Sequence, residues 1–297
     1  MSEPPGGKSP GPEAAITDDA NLDDLIADLR RQDPDRLYIA LFAPPALRER
    51  LIGLHAFNLE VAATRERVSE PMLGQIRLQW WRDALDEMRR GDEPRRHPVV
   101  RSLAAWMPAA GEAAFDLALE LVNARERDLE DAPFATVKDL GAYAEATSSN
   151  LVRLGLLAAG VTETAAHDAA QAAGRAYALA GLLRAVPFHG AQGRIMLPGD
   201  LLGRHGIADA RQSIGRRDPG KLKSVLTELA EMAERDLMSA RAVRSLPKAA
   251  RAPLLIRPLA RLYLKRLRRA RFDLSEPRID PGNAAKIAAL WRARFLA

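Results

Sequence analysis

Residues 54–66 have the sequence LHAFNLEVAATRE and lie inside the longer stretch Leu51–Arg90. Apolar residues recur here at three- and four-residue steps, namely at Leu51, Leu54, Phe57, Val61 and Ala62. Steps of this length place side chains on one face of a helix. Because proline suits the first turn of a helix, we predict one long helix from Pro45 to about Val68.

The same periodicity continues on both sides of this segment and predicts helices along most of the chain. They cover about residues 22–29, 37–42, 71–91, 97–106, 112–130, 137–160, 162–187, 198–206, 222–245, 250–272 and 282–295. Small residues dominate Thr162–Pro187, which favours close helix packing, and the proline predicts that this helix stops before the loop His189–Arg194. The alternating runs typical of strands are missing. We predict an all-α single domain over residues 18–297, preceded by a disordered Pro- and Gly-rich tail over residues 1–17.

Composition excludes several classes of protein. The 297 residues include 0 cysteines, so disulfides, thiolate catalysis and cysteine metal sites are ruled out. No apolar run approaches the roughly 20 residues of a membrane-spanning helix. The first residues lack both the basic start and the apolar region of a secretory signal. We therefore expect a cytoplasmic protein, and its net charge of +5 is compatible with peripheral contact with an anionic membrane.

Motifs for common cofactors and nucleophiles are missing as well. No two of the five histidines form a His-x-x-x-His pair, and there is no phosphate-cradling glycine loop or Gly-x-Ser-x-Gly elbow. The helix around residues 257–271 is rich in arginine and lysine. It is interpreted either as a membrane-surface helix or as a bundle helix with a basic solvated face. No recognisable nucleic-acid-binding module surrounds this charge, so no nucleic-acid partner is expected.

Several separated segments resemble the squalene and phytoene synthase family. They are residues 37–45 (LYIALFAPP), 54–57 (LHAF), 80–82 (WWR), 174–176 (GRA), 183–184 (LR), 193–198 (GRIMLP), 272–274 (FDL) and the region of Lys286 and Ile287. The resemblance covers nearly everything after residue 34. It implies an all-α isoprenoid-synthase-like helical bundle around a central cavity.

Active members of that family condense two prenyl diphosphates, using two aspartate-rich motifs on facing helices to hold Mg²⁺ ions. The metal stabilises the charge that develops on the diphosphate leaving group. The resemblance places the family's ligand positions on Ala62, Ala63, Glu66, Ala185 and His189, and a family asparagine on Gly181. One remaining carboxylate cannot assemble a multi-ion cluster. We therefore expect no metal and no cofactor, with Mg²⁺ required only if the chain is an active synthase.

A further set of segments resembles one subfamily. These are residues 56–62, 68–70, 125–129, 143–149 and 183–190. The subfamily includes the mitochondrial respiratory complex I assembly factor with a phytoene-synthase-like fold. The resemblance implies a chain that keeps the scaffold and has lost the metal cluster.

The expected cavity has its own candidate residues, which are Glu60, Glu66, Tyr143, Arg184 and His189. None is assigned a catalytic role. With alanine in place of aspartate the cavity is less acidic, and two interpretations stay open: side chains and water fill it, or it holds an apolar or neutral ligand such as a lipid or prenyl compound. Glu66 pairing with His189 or Arg184 is the purely structural alternative.

Two functions from different classes follow. The preferred one is a catalytically degenerate synthase-like protein that assists assembly of respiratory complex I (NADH dehydrogenase), with its subunits or assembly intermediates as partners, at the inner face of the inner membrane. The alternative is an active transferase on prenyl diphosphates that uses Glu60, Glu66 and Arg184 in place of the metal ligands. Mg²⁺-dependent release of diphosphate distinguishes the two.

Overall fold

The computed structural model describes residues 12–208, 219–239, 246–275 and 279–295. Over these ranges α-helices dominate and no strand occurs, which confirms the predicted all-α class. In chain order the helices are α1 Pro12–Gln32, α2 Pro34–Leu41, α3 Pro45–Ala62, α4 Pro71–Arg90, α5 Pro98–Ala104, α6 Met107–Ala110, α7 Glu112–Ala124, α8 Val137–Ala144, α9 Asn150–Ala158, α10 Thr164–Ala191, α11 Gly199–Arg204, α12 Pro219–Ser239, α13 Ile256–Arg269 and α14 Asn283–Phe295.

Short segments with a different helical winding connect several of these elements. They are the 3₁₀ turns Arg65–Arg67, Arg125–Leu129, Lys248–Arg251 and Pro253–Leu255, and the π-helical segment Glu145–Ser149. The π-helical segment joins α8 to α9 inside the single helix predicted for residues 137–160. π-helical turns are rare and are frequently found at functional sites.

The hydrophobic core has two parts that meet at α9. One part lies among α1 to α7, and Leu151 and Leu154 of α9 belong to it. The other surrounds α10, α12 and α13, and Val152 and Leu156 of α9 belong to it. Since α9 is apolar on both sides, it carries side chains into both parts of the core and holds them together.

The centre of the second part is α10, which packs against α9, α12, α13 and the π-helical segment. Its small residues allow this, as predicted. A Cβ atom added to Gly174 would lie 2.4 Å from the Cα atom of Ser149, so the two backbones are in direct contact. Any side chain at this position would force the two elements apart.

The predicted end of α10 at Pro187 is wrong, because the helix continues through the proline to Ala191. Proline removes one backbone hydrogen bond and does not by itself stop a helix whose neighbouring turns are well packed. Val186 is buried just before it, and the N–H of Gln192 still donates to the carbonyl of Phe188. The chain turns only at Gly193, which has a φ of 73°.

Two other predicted boundaries also change. The helix α1 begins at Pro12, inside the segment 1–17 predicted to be disordered, while residues 1–11 lie outside the described ranges. The organising helix ends at Ala62 rather than near Val68, and Arg65–Arg67 form a separate 3₁₀ turn. An ion pair between Arg67 and Glu60 fastens that turn to the end of α3.

The predicted helix 222–245 is described as far as Ser239, and its last residues lie outside the described ranges. Among the helices that the structure describes, none is both long enough and apolar enough to cross a lipid bilayer.

Candidate functional site

A cavity of about 250 Å³ opens between the ends of α3, α8 and α10. Its polar lining consists of Arg36, Glu66, Arg125, Asp128, Tyr143, Thr147, Ser148, Tyr177, His189 and Arg194. The remaining lining is apolar or small: Ala62, Leu140, Ala144, Ala178, Leu179, Gly181, Leu182, Ala185 and Met196. The end of α3, the middle of α10 and the π-helical segment thus share one concavity.

The structure brings together residues from both regions that the resemblance marked as ligand positions. Ala62 ends α3 and Glu66 follows it, while Ala185 and His189 belong to the last turns of α10. Because α10 continues past Pro187, His189 is held on a helix and not on a loop. Ala63 caps α3 and does not line the cavity.

Two of the predicted candidates lie outside the cavity. Glu60 forms ion pairs with Arg67 and with Arg77, the latter at 3.3 Å. Arg184 lies over the ring of Tyr263, 3.8 Å from its centroid, and its Nη2 donates to Asp280 at 3.3 Å. Glu60 is therefore neutralised by two arginines, and Arg184 is held against Tyr263 and Asp280 outside the cavity.

Glu66 stands apart from the predicted partners. It makes no ion pair or hydrogen bond within the described part of the chain, so the proposed pairing with His189 or Arg184 does not occur. Burial, and then the charge of Arg194, lowers the pKa of His189, which keeps its imidazole neutral near pH 7. Among the described residues its buried Nδ1 has no hydrogen-bond partner, so this nitrogen is open to a hydrogen bond with a ligand.

A network of residues around Arg125 and Asp128, two charges that the sequence analysis did not select, also lines the cavity. Arg125 Nη1 donates to Asp128 Oδ2 at 3.1 Å and to the Tyr143 hydroxyl at 2.9 Å. The same hydroxyl donates to Asp128 Oδ1 at 2.7 Å. Arg194, which is buried, donates to the backbone carbonyl of Asp128 at 2.9 Å. Tyr143 was predicted, and its role here is to bridge this pair.

This network fixes the charge of the cavity. Burial raises the pKa of Tyr143, so its hydroxyl stays protonated and donates to Asp128. Burial alone would lower the pKa of Arg125, but Tyr143 and Asp128 raise it overall. The lining thus contains three arginines, Arg36 among them, against the two carboxylates of Glu66 and Asp128. Arg36 is itself paired with Asp33 at 2.7 Å and Arg125 is paired with Asp128, so within the described residues Arg194 and Glu66 are the lining charges without an ion-pair partner.

A second buried cluster lies behind the cavity wall at Tyr177. The carboxylate of Asp35 accepts hydrogen bonds from Tyr177 at 2.9 Å and from Tyr263, and Lys286 lies 3.0 Å from its other oxygen. Burial by itself would raise the pKa of Asp35, but Tyr263, Lys286 and Tyr177 together lower it. Sequence reasoning missed this cluster because its members are far apart along the chain.

The donor set does not suit the metal cluster expected for an active synthase. Within the described residues no group of three or more histidine, aspartate or glutamate side chains comes together in a way that could hold a metal ion. Mg²⁺ requires several oxygen ligands and usually bridges to phosphates through carboxylates. Of the cavity's two carboxylates, Asp128 is already committed to Arg125 and Tyr143.

The fold and the cavity define an isoprenoid-synthase-type helical protein. The model of the squalene/phytoene synthase family matches residues 29–284, and the chain belongs to that family. Two solved structures share the fold. A dehydrosqualene synthase has a TM-score of 0.79 at 17% identity, and the match covers 94% of this chain and 97% of that one. Squalene synthase HpnC from Alicyclobacillus acidocaldarius has a TM-score of 0.74 at 20% identity, and the match covers 86% of this chain and 96% of that one.

The chain also has relatives that are more similar in sequence. The NADH dehydrogenase (ubiquinone) complex I assembly factor 6 of Rattus norvegicus is 30% identical over 273 residues, which are 90% of this chain and 81% of the relative. The human protein of the same name is 29% identical over 258 residues, 86% of this chain and 76% of the relative. The predicted resemblance to the family and to this subfamily is confirmed.

Proposed function

We propose that this protein is a non-catalytic member of its family and assists the assembly of respiratory complex I. The observation that carries the proposal is the exchange of carboxylates for neutral and basic groups around the cavity. Ala62, Ala185 and His189 occupy the positions implied for metal ligands, and Arg125 and Arg194 stand beside them. Relatives about 30% identical to this chain bear the name of complex I assembly factors.

The chemistry of the alternative explains why these positions matter. Ionising a prenyl diphosphate requires that the departing diphosphate be stabilised, and metal-bridged carboxylates do this in the family. Arginines can bind a diphosphate, but the positions implied for metal ligands hold alanine and histidine here, so the metal ions that stabilise the departing group in the family lack carboxylates to hold them. A cavity of about 250 Å³ is also small for a long prenyl chain, since ligand pockets usually measure roughly 300–1,000 Å³.

The finer localisation belongs to the same proposal. We infer a peripheral position at the inner face of the inner membrane. The outward face of α14 carries three exposed apolar side chains, Ile287, Trp291 and Phe295, beside the exposed Arg292. Aromatic and cationic groups on one helical face are typical of helices that lie at an anionic membrane surface.

Two measurements test the proposal together. Purified protein is incubated with farnesyl and geranylgeranyl diphosphates, with and without Mg²⁺, and released diphosphate is measured. Cells lacking the gene are then examined for assembled complex I on native gels and for NADH oxidation by their membranes. We expect no release of diphosphate and a loss of assembled complex I.

The opposite pair of results would restore the transferase. Mg²⁺-dependent release that disappears in Glu66→Ala, together with normal complex I in the deleted cells, contradicts the proposal. The control variant Glu130→Ala changes an exposed glutamate outside the cavity and leaves any such activity intact.

A further inference from the structure

A second concavity, here called the basic groove, lies along α13 and shares no described lining residue with the central cavity. It has a volume of about 950 Å³ and is bounded by α12, α13, the 3₁₀ turn Lys248–Arg251 and the end of α14 at Ala293. Neither the family's chemistry nor the assembly role proposed above assigns it a task.

The rim of the basic groove carries a regular row of positive charge. Arg261, Lys265 and Arg269 follow one another at four-residue spacing on α13 and are all exposed. At about 1.5 Å rise per residue, the row spans about 12 Å of the helix axis. Arg251 adds a fourth cation from the adjoining 3₁₀ turn.

No carboxylate in the described part of the chain neutralises these four cations. Within the described ranges none of the four forms an ion pair or a hydrogen bond. By contrast, Arg268 of the same helix is paired with Glu234, with 2.6 Å between Arg268 Nη2 and Glu234 Oε2. Among the described lining residues Glu234 is the only carboxylate. Unpaired like charges at one-turn spacing repel each other, so their cost is relieved when an acidic ligand binds.

The floor of the basic groove is apolar and partly open. Leu237, Leu254 and Leu264 are buried beneath it, and Met238 projects with 53% of its surface exposed. Methionine is flexible and polarisable, and grooves that accept helices of varied sequence often contain it. A groove with an apolar floor and a charged rim is complementary to an amphipathic helix.

We propose that the basic groove docks an acidic amphipathic helix of a protein client, with carboxylates one turn apart facing Arg261, Lys265 and Arg269. The inference rests on the assembly role proposed above, since a client of an assembly factor is a protein. The concave shape favours a helix over a bilayer, because a flat layer of lipid head groups contacts the rim and leaves the floor uncovered. The two partners therefore match in charge, spacing and shape.

The test uses the full chain and a synthetic helical peptide with glutamates one turn apart and leucines on the adjoining face. Binding is followed by fluorescence anisotropy at two salt concentrations. We expect salt-sensitive binding that weakens by about tenfold or more in the double variant Arg261→Glu, Lys265→Glu. The matched control, Arg96→Glu with Arg101→Glu, reverses two exposed cations outside the groove and retains binding. Circular dichroism establishes that each variant is folded. The double variant Arg261→Gln, Lys265→Gln removes the two positive charges without adding negative ones, and we expect it to weaken peptide binding as well.

Two outcomes overturn the inference. Peptide binding that is equal in the wild type and the groove variant places the contact elsewhere. Vesicles of phosphatidylcholine and phosphatidylglycerol in equal parts are the second probe. If the vesicles bind the wild type but not the variant Arg261→Glu, Lys265→Glu, and the peptide does not bind the wild type, the groove is a membrane contact.

Complementation separates a failure of this inference from a failure of the assembly role. The wild-type chain and the groove variant are each returned to cells that lack the gene, and assembled complex I is measured. If the wild type has no effect on complex I, the proposed function is wrong. If both chains restore complex I equally, the assembly role stands and the docking inference is wrong.

Discussion

His55 is a buried imidazole in the middle of α3, at a small cavity whose other described lining residues are apolar apart from Arg36. It is 6% exposed, and neither ring nitrogen has a hydrogen-bond partner within the described residues. Burial, and then the nearby charge of Arg36, lowers the pKa of His55 to about 3. The folded protein therefore keeps this side chain neutral well below the pH at which the unfolded chain protonates it.

We expect His55→Leu to make the stability of the protein less sensitive to acid. In the wild type the unfolded state binds a proton at His55 below about pH 6.5 and the folded state does not, so the free energy of unfolding falls as the pH decreases toward 3. The slope from one such group reaches about 1.4 kcal/mol per pH unit. Leucine cannot titrate, and it suits neighbours such as Leu51 and Leu151.

Urea unfolding between about pH 7 and about pH 5 measures this difference. Other titrating groups act equally on both proteins, so the difference between the two curves isolates His55. Parallel curves would show that the imidazole is protonated inside the folded protein.

The contact between α10 and the π-helical segment depends on one missing side chain. A Cβ atom at Gly174 would lie 2.4 Å from the Cα atom of Ser149 and 2.7 Å from its nitrogen. These are backbone atoms, which cannot move aside as a flexible side chain would. Thr147 and Ser148 of the same segment line the cavity, so this contact also sets the cavity's shape.

We expect Gly174→Ala to lower the free energy of unfolding by about 2 kcal/mol or more, because the two elements must separate. The control is Gly181→Ala on the same helix, where an added Cβ meets nothing within 4 Å. Alanine there is expected to be neutral or to stabilise the protein by up to about 1 kcal/mol through its higher helix propensity. Thermal and urea unfolding of both variants provide the comparison, and equal stabilities would contradict the close contact.

Much of the helical architecture could be predicted from the sequence, and the reasons are local. Three- and four-residue spacing identified α3 and α4, and Pro71 and Gly91 correctly marked the ends of α4. The prediction at Pro187 was wrong because the sequence shows that a proline removes a backbone hydrogen bond but does not show the packing that compensates for it. The π-helical segment was missed because residues 137–160 were predicted as one continuous helix, and the five residues Glu145–Ser149 give no apolar spacing that marks a change of winding.

The cavity was predicted only in part. Resemblance placed Ala62, Glu66, Ala185 and His189 at positions that the structure brings to one concavity. Arg194 and Asp128 were not selected because charged residues in connecting segments usually face solvent. The signal that could have found them is that both lie in segments quoted for the resemblance, next to apolar neighbours such as Ile195 and Leu129.

Helices α2 and α14, which are far apart along the chain, are joined by a buried ion pair. Lys286 of α14 lies 3.0 Å from Asp35 of α2, and both side chains are less than 10% exposed. Tyr177 of α10 and Tyr263 of α13 donate to the same carboxylate. Four helices thus meet at one charge, which the low exposure isolates from water.

We expect Lys286→Met to cost about 3–5 kcal/mol, because it leaves the buried carboxylate of Asp35 without its cation. The double variant Asp35→Asn, Lys286→Met should lose less than this single variant, since no buried charge remains unpaired. Urea unfolding of four proteins, the wild type, the single variants Asp35→Asn and Lys286→Met and the double variant, measures the coupling. A single variant within about 0.5 kcal/mol of the wild type would show that α14 is held by its apolar contacts alone.

The arginine-lined cavity has a consequence for any attempt to build the family's metal site into this chain. Placing aspartates at Ala62, Ala63, Ala185 and His189 would supply the letters of the family's metal motifs and leave the arginines of the lining in place. The new carboxylates at the three cavity-lining positions would share the lining with Arg125 and Arg194, whose charges would compete with Mg²⁺ for them. Under the non-catalytic role proposed above, substitutions at the four ligand positions alone are therefore not expected to create a synthase.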